Sequence, residues 1–258
     1  MKILFYPEVP HEAYVVYKIC RLLGYEITSE VTDDSSLSIA WSDTTIRPDL
    51  PLLKELAARG PVVNLACRDI SKTFVDEIFE AVFGYCSTLN PLAHQGVCVK
   101  KSNANATHDG EILSCPIANT EDGFIYQRLI DNRAEDKLIL DLRVPIFKGV
   151  IPLVYLKYRD LEDRFGNENH FVNVVKPEEV FSAEEQHKIL LFCQHMGFEL
   201  GELDVLRDQG DHKLYIIDAN HTPYGPPNHT PFKEAEAALA KMAQTFEEVF
   251  LSRAFVGG

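Results

Sequence analysis

Apolar residues over the first ninety positions follow two rhythms. Short apolar runs at residues 2–6 (KILFY), 38–41 and 61–65 read as buried strands, and residues 26–31 as another. Between them the spacing is helical. Residues 12–23 form one such stretch, closed by Gly24. A second covers 50–59, with Asp49 as cap, Pro51 in the first turn and Gly60 at its end. A third covers 72–83, capped by Asp69 or Ser71 and stopped by Gly84. Strand–helix alternation predicts a small open α/β layer with a parallel sheet.

Beyond Pro91 the texture changes. Residues 97–101, 111–114, 124–129, 137–146 and 150–159 are strand-like with few helices between, and the last two flank a hairpin turn at 147–149. Ser182 and Glu185 form a capping box that opens a helix over 183–196, ended by Gly197. Strands at 203–207 and 213–218 follow, then a polar, proline-rich loop at 220–231. An amphipathic helix over 231–252 presents Ala235, Leu239, Met242, Phe246 and Phe250 as a core face. The pattern predicts an α/β composite: an N-terminal open parallel layer over residues 1–91, then a mainly antiparallel sheet with flanking helices over 92–258.

Composition narrows the function. A length of 258 residues suits one or two domains. The net charge of −14 argues against nucleic-acid and anionic-membrane partners, which need a basic field. No window approaches the ~18 apolar residues of a membrane span. The opening MKILFYPEVPHEAY lacks the long apolar core of a signal peptide. Cys20, Cys67, Cys86, Cys98, Cys115 and Cys193 form no CxxC and have no zinc-finger spacing. They read as reduced buried thiols of a cytoplasmic protein.

The most informative stretch is 203–220, LDVLRDQGDHKLYIIDAN. In a hairpin symmetric about position 211, Asp204 lies opposite Asp218, and Asn220 shares the face of Asp218. Two opposed carboxylates destabilise a sheet, and a divalent cation removes the conflict. Two carboxylates and an amide oxygen suit Mg²⁺. A slipped register with solvent-facing aspartates is the competing reading.

Residues 201–227, GELDVLRDQGDHKLYIIDANHTPYGPP, resemble the metal-binding end of the ATP-grasp fold. The resemblance implies Asp204, Asp218 and Asn220 as ligands of Mg²⁺ on nucleotide phosphates, with Asp218 at a position more often Glu. VCVKKS (97–102) resembles the strand whose lysine reaches the phosphates, with Lys101 as the match and Lys100 as the alternative. FIYQRLID (124–131) resembles the adenine hinge, with Gln127, Arg128, Leu129 and Ile130 as the cofactor-binding positions. LRVPIFKGVIPLVYLKYR (142–159) resembles the strands that carry cations towards the phosphates. Arg143, Lys157 and Arg159, with Arg207, are the implied catalytic positions. NLACRDISK (64–72) resembles the junction ending the first domain. The match covers most of residues 61–228 and is thin over 1–60.

The implied activity is ATP- and Mg²⁺-dependent ligation of a small carboxylate to an amine through an acyl phosphate. The alternatives are a phosphotransferase acting on a hydroxyl and a nucleotide-binding protein without turnover. A homo-oligomer is left open. The chain departs from the family in its short 101–127 segment. Asn103, Asn105, His108, Asp109 and Gly110, with Gly123 beyond, stand where a longer glycine-rich flap is usual. His108 and Asp109 read as a loop pair or an acid–base pair. His221 and His229 lack companion metal ligands. Tyr224 to Pro227 reads as a rigid turn or as a wall of the acceptor pocket.

Overall fold

The computed structural model describes residues 1–252 except 33, 108, 136 and 167. The chain builds three sheets. The first is parallel, in the order β2 (Glu26–Thr28), β1 (Lys2–Pro7), β3 (Leu37–Trp41), β4 (Val62–Val63). Alternation along β1 fills both of its faces. Ile3 and Phe5 join a core with α1 (Val15–Leu22) and α5 (Phe232–Phe246), while Leu4 packs with Leu53 and Leu56 of α2 (Pro51–Ala57). Helix α1 starts three residues later than its pattern suggests, and α5 ends in one π-helical turn at Glu247–Leu251.

Helix α3 (Lys72–Phe83) begins and ends where its punctuation predicts. Ser71 Oγ accepts the Phe74 N–H, and Gly84 closes the helix at φ +81°. The second sheet is antiparallel and small: β6 (Glu111–Cys115), β5 (Gly96–Ser102), β7 (Phe124–Arg128). The third is the largest, running β11 (Phe171–Val175), β10 (Val154–Asp160), β9 (Leu138–Phe147), β12 (Leu200–Arg207), β13 (Leu214–Asn220), with β8 (Arg133–Glu135) beside β9. All its pairings are antiparallel, so the expected change from parallel to antiparallel texture is present.

The two faces of the large sheet differ in chemistry. Leu142, Val144, Ile146, Leu203 and Val205 point to the back. There they bury against α3 and α4 (Ala183–Met196), among them Val75, Phe79, Ile189 and Phe192. Helix α4 carries the predicted reciprocal capping box of Ser182 and Glu185. Helix α3 precedes residue 92 in the chain yet packs on β13 and α4 beyond it. With the back face apolar, the period of two forces every alternate residue of β9, β10, β12 and β13 onto the front. At mid-sheet those residues are charged, Asp141, Arg143, Lys157, Arg159, Glu202, Asp204 and Asp218, while at one end Phe147 and Leu200 join the core with α1 and α5.

Candidate functional site

Paired residues of the large sheet share a face. Arg143 pairs with both Tyr155 and Asp204, Lys157 with Asp141, and Glu202 with Asn220. Asp204 lies opposite Asp218, as the hairpin symmetry predicts. The symmetry holds only on that side of a β-bulge. Val205 pairs with Ile216 and Arg207 with Leu214, so one extra residue is inserted into β13 at Ile217. Without the bulge the turn would place Ile217 opposite Asp204 and rotate Asp218 away. The irregularity is thus what brings the two carboxylates together.

The front face opens into two adjoining cavities of about 140 and 550 Å³ that share Arg143, Lys157, Arg159, Asp204 and Asp218. Six cationic side chains line the smaller, including Lys72, Lys101 and Arg164, against four acidic ones. A local cationic excess in a chain of charge −14 marks an anion site.

The ion pairs are specific. Arg143 donates to both oxygens of Asp204 at 3.0 and 3.3 Å, and Lys157 approaches the same carboxylate at 3.9 Å. Lys72, the first residue of α3, reaches Asp218 at 3.8 Å and donates to Ala104 O at 2.7 Å. Arg159 pairs with Asp141 and donates to the Gly166 carbonyl.

The pKa directions follow from that layout. Burial works against ionisation of Asp204, but Arg143 and Lys157 outweigh it and hold the carboxyl well below its usual range. Burial pushes Asp218 up to about 6, with the Asp204 charge adding to the effect and Lys72 opposing it. Burial also lowers Lys101 to about 8 and lowers Lys157. Glu202 is raised to about 7, by burial first.

No protein-family model matches the sequence, and no curated protein matches it. Solved structures do. The ATP-grasp ligase PsnB, complexed with minimal precursor, Mg and ADP, superposes with a TM-score of 0.60 at 13% identity, over 95% of this chain and 98% of that one. D-alanine–D-alanine ligase from Bacillus anthracis gives 0.56 at 14% identity, over 97% and 96%. A RimK domain protein ATP-grasp from Sphaerobacter thermophilus gives 0.54 at 11%, over 98% and 100%. This chain has the ATP-grasp fold.

Within the ATP-grasp fold the named residues divide. Lys101 lies in the cationic cleft, while its neighbour Lys100 turns away to Glu121 and the Phe124 ring. Arg143, Lys157 and Arg159 meet there with Asp204 and Asp218. Asn220 lines the larger cavity, and its side-chain oxygen accepts from Thr222 N at 2.9 Å.

Arg207 does not belong to this group. It lies three residues beyond Asp204, so alternation turns it to the back. There it pairs with Glu185 at 2.8 Å and donates to the Val180 and His212 carbonyls. Strand β9 also separates its strand from that of Arg159.

The expected adenine hinge differs as well. None of Gln127, Arg128, Leu129 and Ile130 lines either cavity. An adenine hinge needs free backbone N–H and C=O groups. Instead β7 is an inner strand, flanked by β5 and by residues 87–89. Leu89 N donates to Tyr126 O at 2.9 Å, and Arg128 N to Ser87 O at 2.8 Å. The Ile130 carbonyl accepts from Arg164 at 3.2 Å. Gln127 is buried and donates to Ser87 Oγ, Arg128 lies over the Tyr215 ring, and Ile130 belongs to the back-face core.

The short 101–127 segment contributes to the β6–β5–β7 sheet and forms the loop after β5, of which Ala106, Thr107, Asp109 and Gly110 line the cleft. A side chain at Gly110 would meet the Phe165 ring at 2.5 Å, so glycine lets the loop approach this closely. Of the pair at 108 and 109, His108 lies outside the described residues, and Asp109 accepts from Ser102 N and Thr107 Oγ1. His221 is buried, with neither ring nitrogen hydrogen-bonded among the described residues, and His229 contacts Glu168. Among the described residues no group of three or more His, Cys, Asp and Glu side chains forms a metal cluster.

Sequence reasoning missed Lys72, Asp141 and Glu202. Glu202 had a signal: it precedes Asp204 by two and so shares its face. Asp141 had the same signal, two residues before Arg143 on β9, whereas Lys72 reaches the cleft only through tertiary packing.

Proposed function

We propose that this protein is an ATP- and Mg²⁺-dependent ligase that joins a carboxylate to an amine through an acyl phosphate. The observation that carries the reading is the front-face cleft, where cations from α3, β5, β9 and β10 surround the opposed Asp204 and Asp218 of a β12–β13 hairpin. Structures sharing the fold include the ATP-grasp ligase PsnB with Mg and ADP and a D-alanine–D-alanine ligase, which supports the reading. We place the phosphates in the smaller cavity and the substrates to be joined in the larger.

The donor set fits a divalent cation. Asp218 Oδ1 is buried with no hydrogen-bond partner among the described residues, and the hard amide oxygen of Asn220, which accepts from Thr222, lies on the same face. Asp204 completes the set and is shared with Arg143. Held by Asp204, Asp218 and Asn220, Mg²⁺ would neutralise phosphate charge. The chain's own residues do the rest. Lys72, Lys101 and Arg159 hold the phosphate oxygens, and Arg143 and Lys157 face the charge that develops during transfer. A substrate carboxylate oxygen attacks the γ-phosphorus and the bond to ADP breaks. The amine nitrogen then attacks the acyl carbon, loses a proton and expels inorganic phosphate.

A reducing cytoplasmic setting suits the six cysteines, all free thiols. No helix among the described residues is long and apolar enough to cross a membrane. We keep residues 1–91 and 92–258 as the proposed domains.

One feature favours nucleotide binding without turnover: the 101–127 segment, which would close over ATP, is short. The hinge carbonyl of Ile130 is already held by Arg164, so adenine must displace that contact or sit elsewhere. Incubation with ATP, Mg²⁺, a panel of carboxylates and hydroxylamine separates the readings. Hydroxamate with stoichiometric ADP supports the ligase. ADP formed only with hydroxyl acceptors supports a phosphotransferase, and bound ATP with no ADP under any acceptor supports the binding protein.

A further inference from the structure

We infer that the larger cavity is a subsite for a cationic amine, held by Glu202 and Asn169. Both side chains are about 95% buried or more, and both line that cavity. Neither carboxylate oxygen of Glu202 accepts a hydrogen bond among the described residues, and Asn169 Oδ1 is also without a donor. The Asn169 amide is oriented by its own Nδ2, which donates to Asn228 O at 3.1 Å, so the free atom is the oxygen. The nearest cation to Glu202 is Arg143 Nε at 3.6 Å, and that guanidinium is already committed to Asp204.

Buried acceptors without donors are costly, and a ligand bearing N–H groups is what relieves them. An ammonium supplies three donors and no acceptor, which suits a wall of acceptors. The wall continues in Asp43, which accepts from Tyr14 and Thr222. Tyr224 adds an aromatic face, held flat by stacking on Tyr14 at 4.5 Å, to which a cation is attracted. The two adjoining cavities share Arg143, Lys157 and Arg159, but the residues that line only the larger add acceptors, Asp43, Glu202 and Asn169, and no further cation. The subsite gives the proposed ligase its amine. It rests on that reading only for the fate of the amine, since binding needs no turnover.

The test is a calorimetric titration of the full chain, without nucleotide, with 1,4-diaminobutane and with 1,4-butanediol, its neutral analogue. The diamine should bind at least about tenfold tighter, the value of a charge-assisted hydrogen bond. Glu202→Gln should lose about tenfold in diamine affinity. Glu236→Gln, the same charge change at an exposed position on α5, should lose nothing, which separates the subsite from general attraction to an acidic protein. Equal affinity for diamine and diol in the unmodified protein overturns the inference, whether or not Glu202→Gln folds, as does equal loss in the two variants. Diamine preference with no ADP formed under any acceptor would leave the subsite standing and sink the ligase. Hydroxamate formation without diamine preference would do the reverse.

Discussion

Asp218→Asn should stabilise the metal-free protein. The folded chain raises this carboxyl from 3.8 to about 6, through burial first, with the pull of Lys72 at 3.8 Å already in that balance. Ionised Asp218 therefore costs about 3 kcal/mol above pH 6 relative to the unfolded chain. Its side chain keeps 23% exposure, and solvent screening trims the figure to about 2 kcal/mol. Asparagine has nearly the same shape and carries no charge. In a chain of this length, about 2 kcal/mol corresponds to roughly 4–8 °C in melting temperature. The pH dependence fixes the sign. A raised folded pKa gives stability that is complete below 3.8 and lost as pH rises through 6, so the variant's advantage is full above pH 6, shrinks below it and closes near pH 4. Thermal melts of both proteins in EDTA from pH 7.5 to 4.5 measure the gap. A destabilised variant, or a gap independent of pH, would refute the picture of Asp218 as a penalised carboxylate facing Asp204.

Three further outcomes follow from named contacts. Arg207→Ala should lower stability by about 1 kcal/mol, from a half-exposed pair with Glu185 and two carbonyl contacts, and leave Mg-ATP binding unchanged; melts and nucleotide titration check both halves. Asn64→Ala should cost about 2–4 kcal/mol in chemical denaturation. Asn64 Oδ1 accepts from Glu199 N and Leu200 N, its Nδ2 donates to Leu200 O, and its φ of +59° favours asparagine over alanine. Gly110→Ala should weaken Mg-ATP binding with little change in the melt of the free protein, because the new methyl group forces the loop or Phe165 out of the cleft.

Much of this fold was legible where local chemistry acts alone. Helices α3 and α4 were readable to the residue because their caps are side-chain hydrogen bonds and left-handed glycines, written in a few consecutive letters. Strand β8 was not, since Arg133, Ala134 and Glu135 are exposed and show no apolar alternation. Nor was β11, which joins β10 through a short 3-10 turn and a polar loop rather than a tight hairpin. The bulge at Ile217 illustrates a deeper limit. The symmetric hairpin placed Asp204 opposite Asp218 correctly, yet the turn itself obeys a different register, and nothing local distinguishes the two. Arg207 was misplaced because its charge suggested the cleft while its phase on β12 pointed to the back. Whether the 127–130 backbone is free was not legible either, because it depends on residues 87–89 and Arg164, which lie far off in sequence.

The most direct test of the nucleotide cleft is calorimetric titration of the full chain with a non-hydrolysable ATP analogue, with and without Mg²⁺. The account predicts one saturable site that needs Mg²⁺ and is weakened at least about tenfold by Lys101→Ala. A ligand that binds only the folded state stabilises it by about 2.7 kcal/mol at a hundredfold excess over Kd, so the melt should rise by several degrees in the same samples. Absence of both heat and thermal shift for every nucleoside triphosphate with Mg²⁺ present would contradict it, and the ligase reading would fall with the cleft.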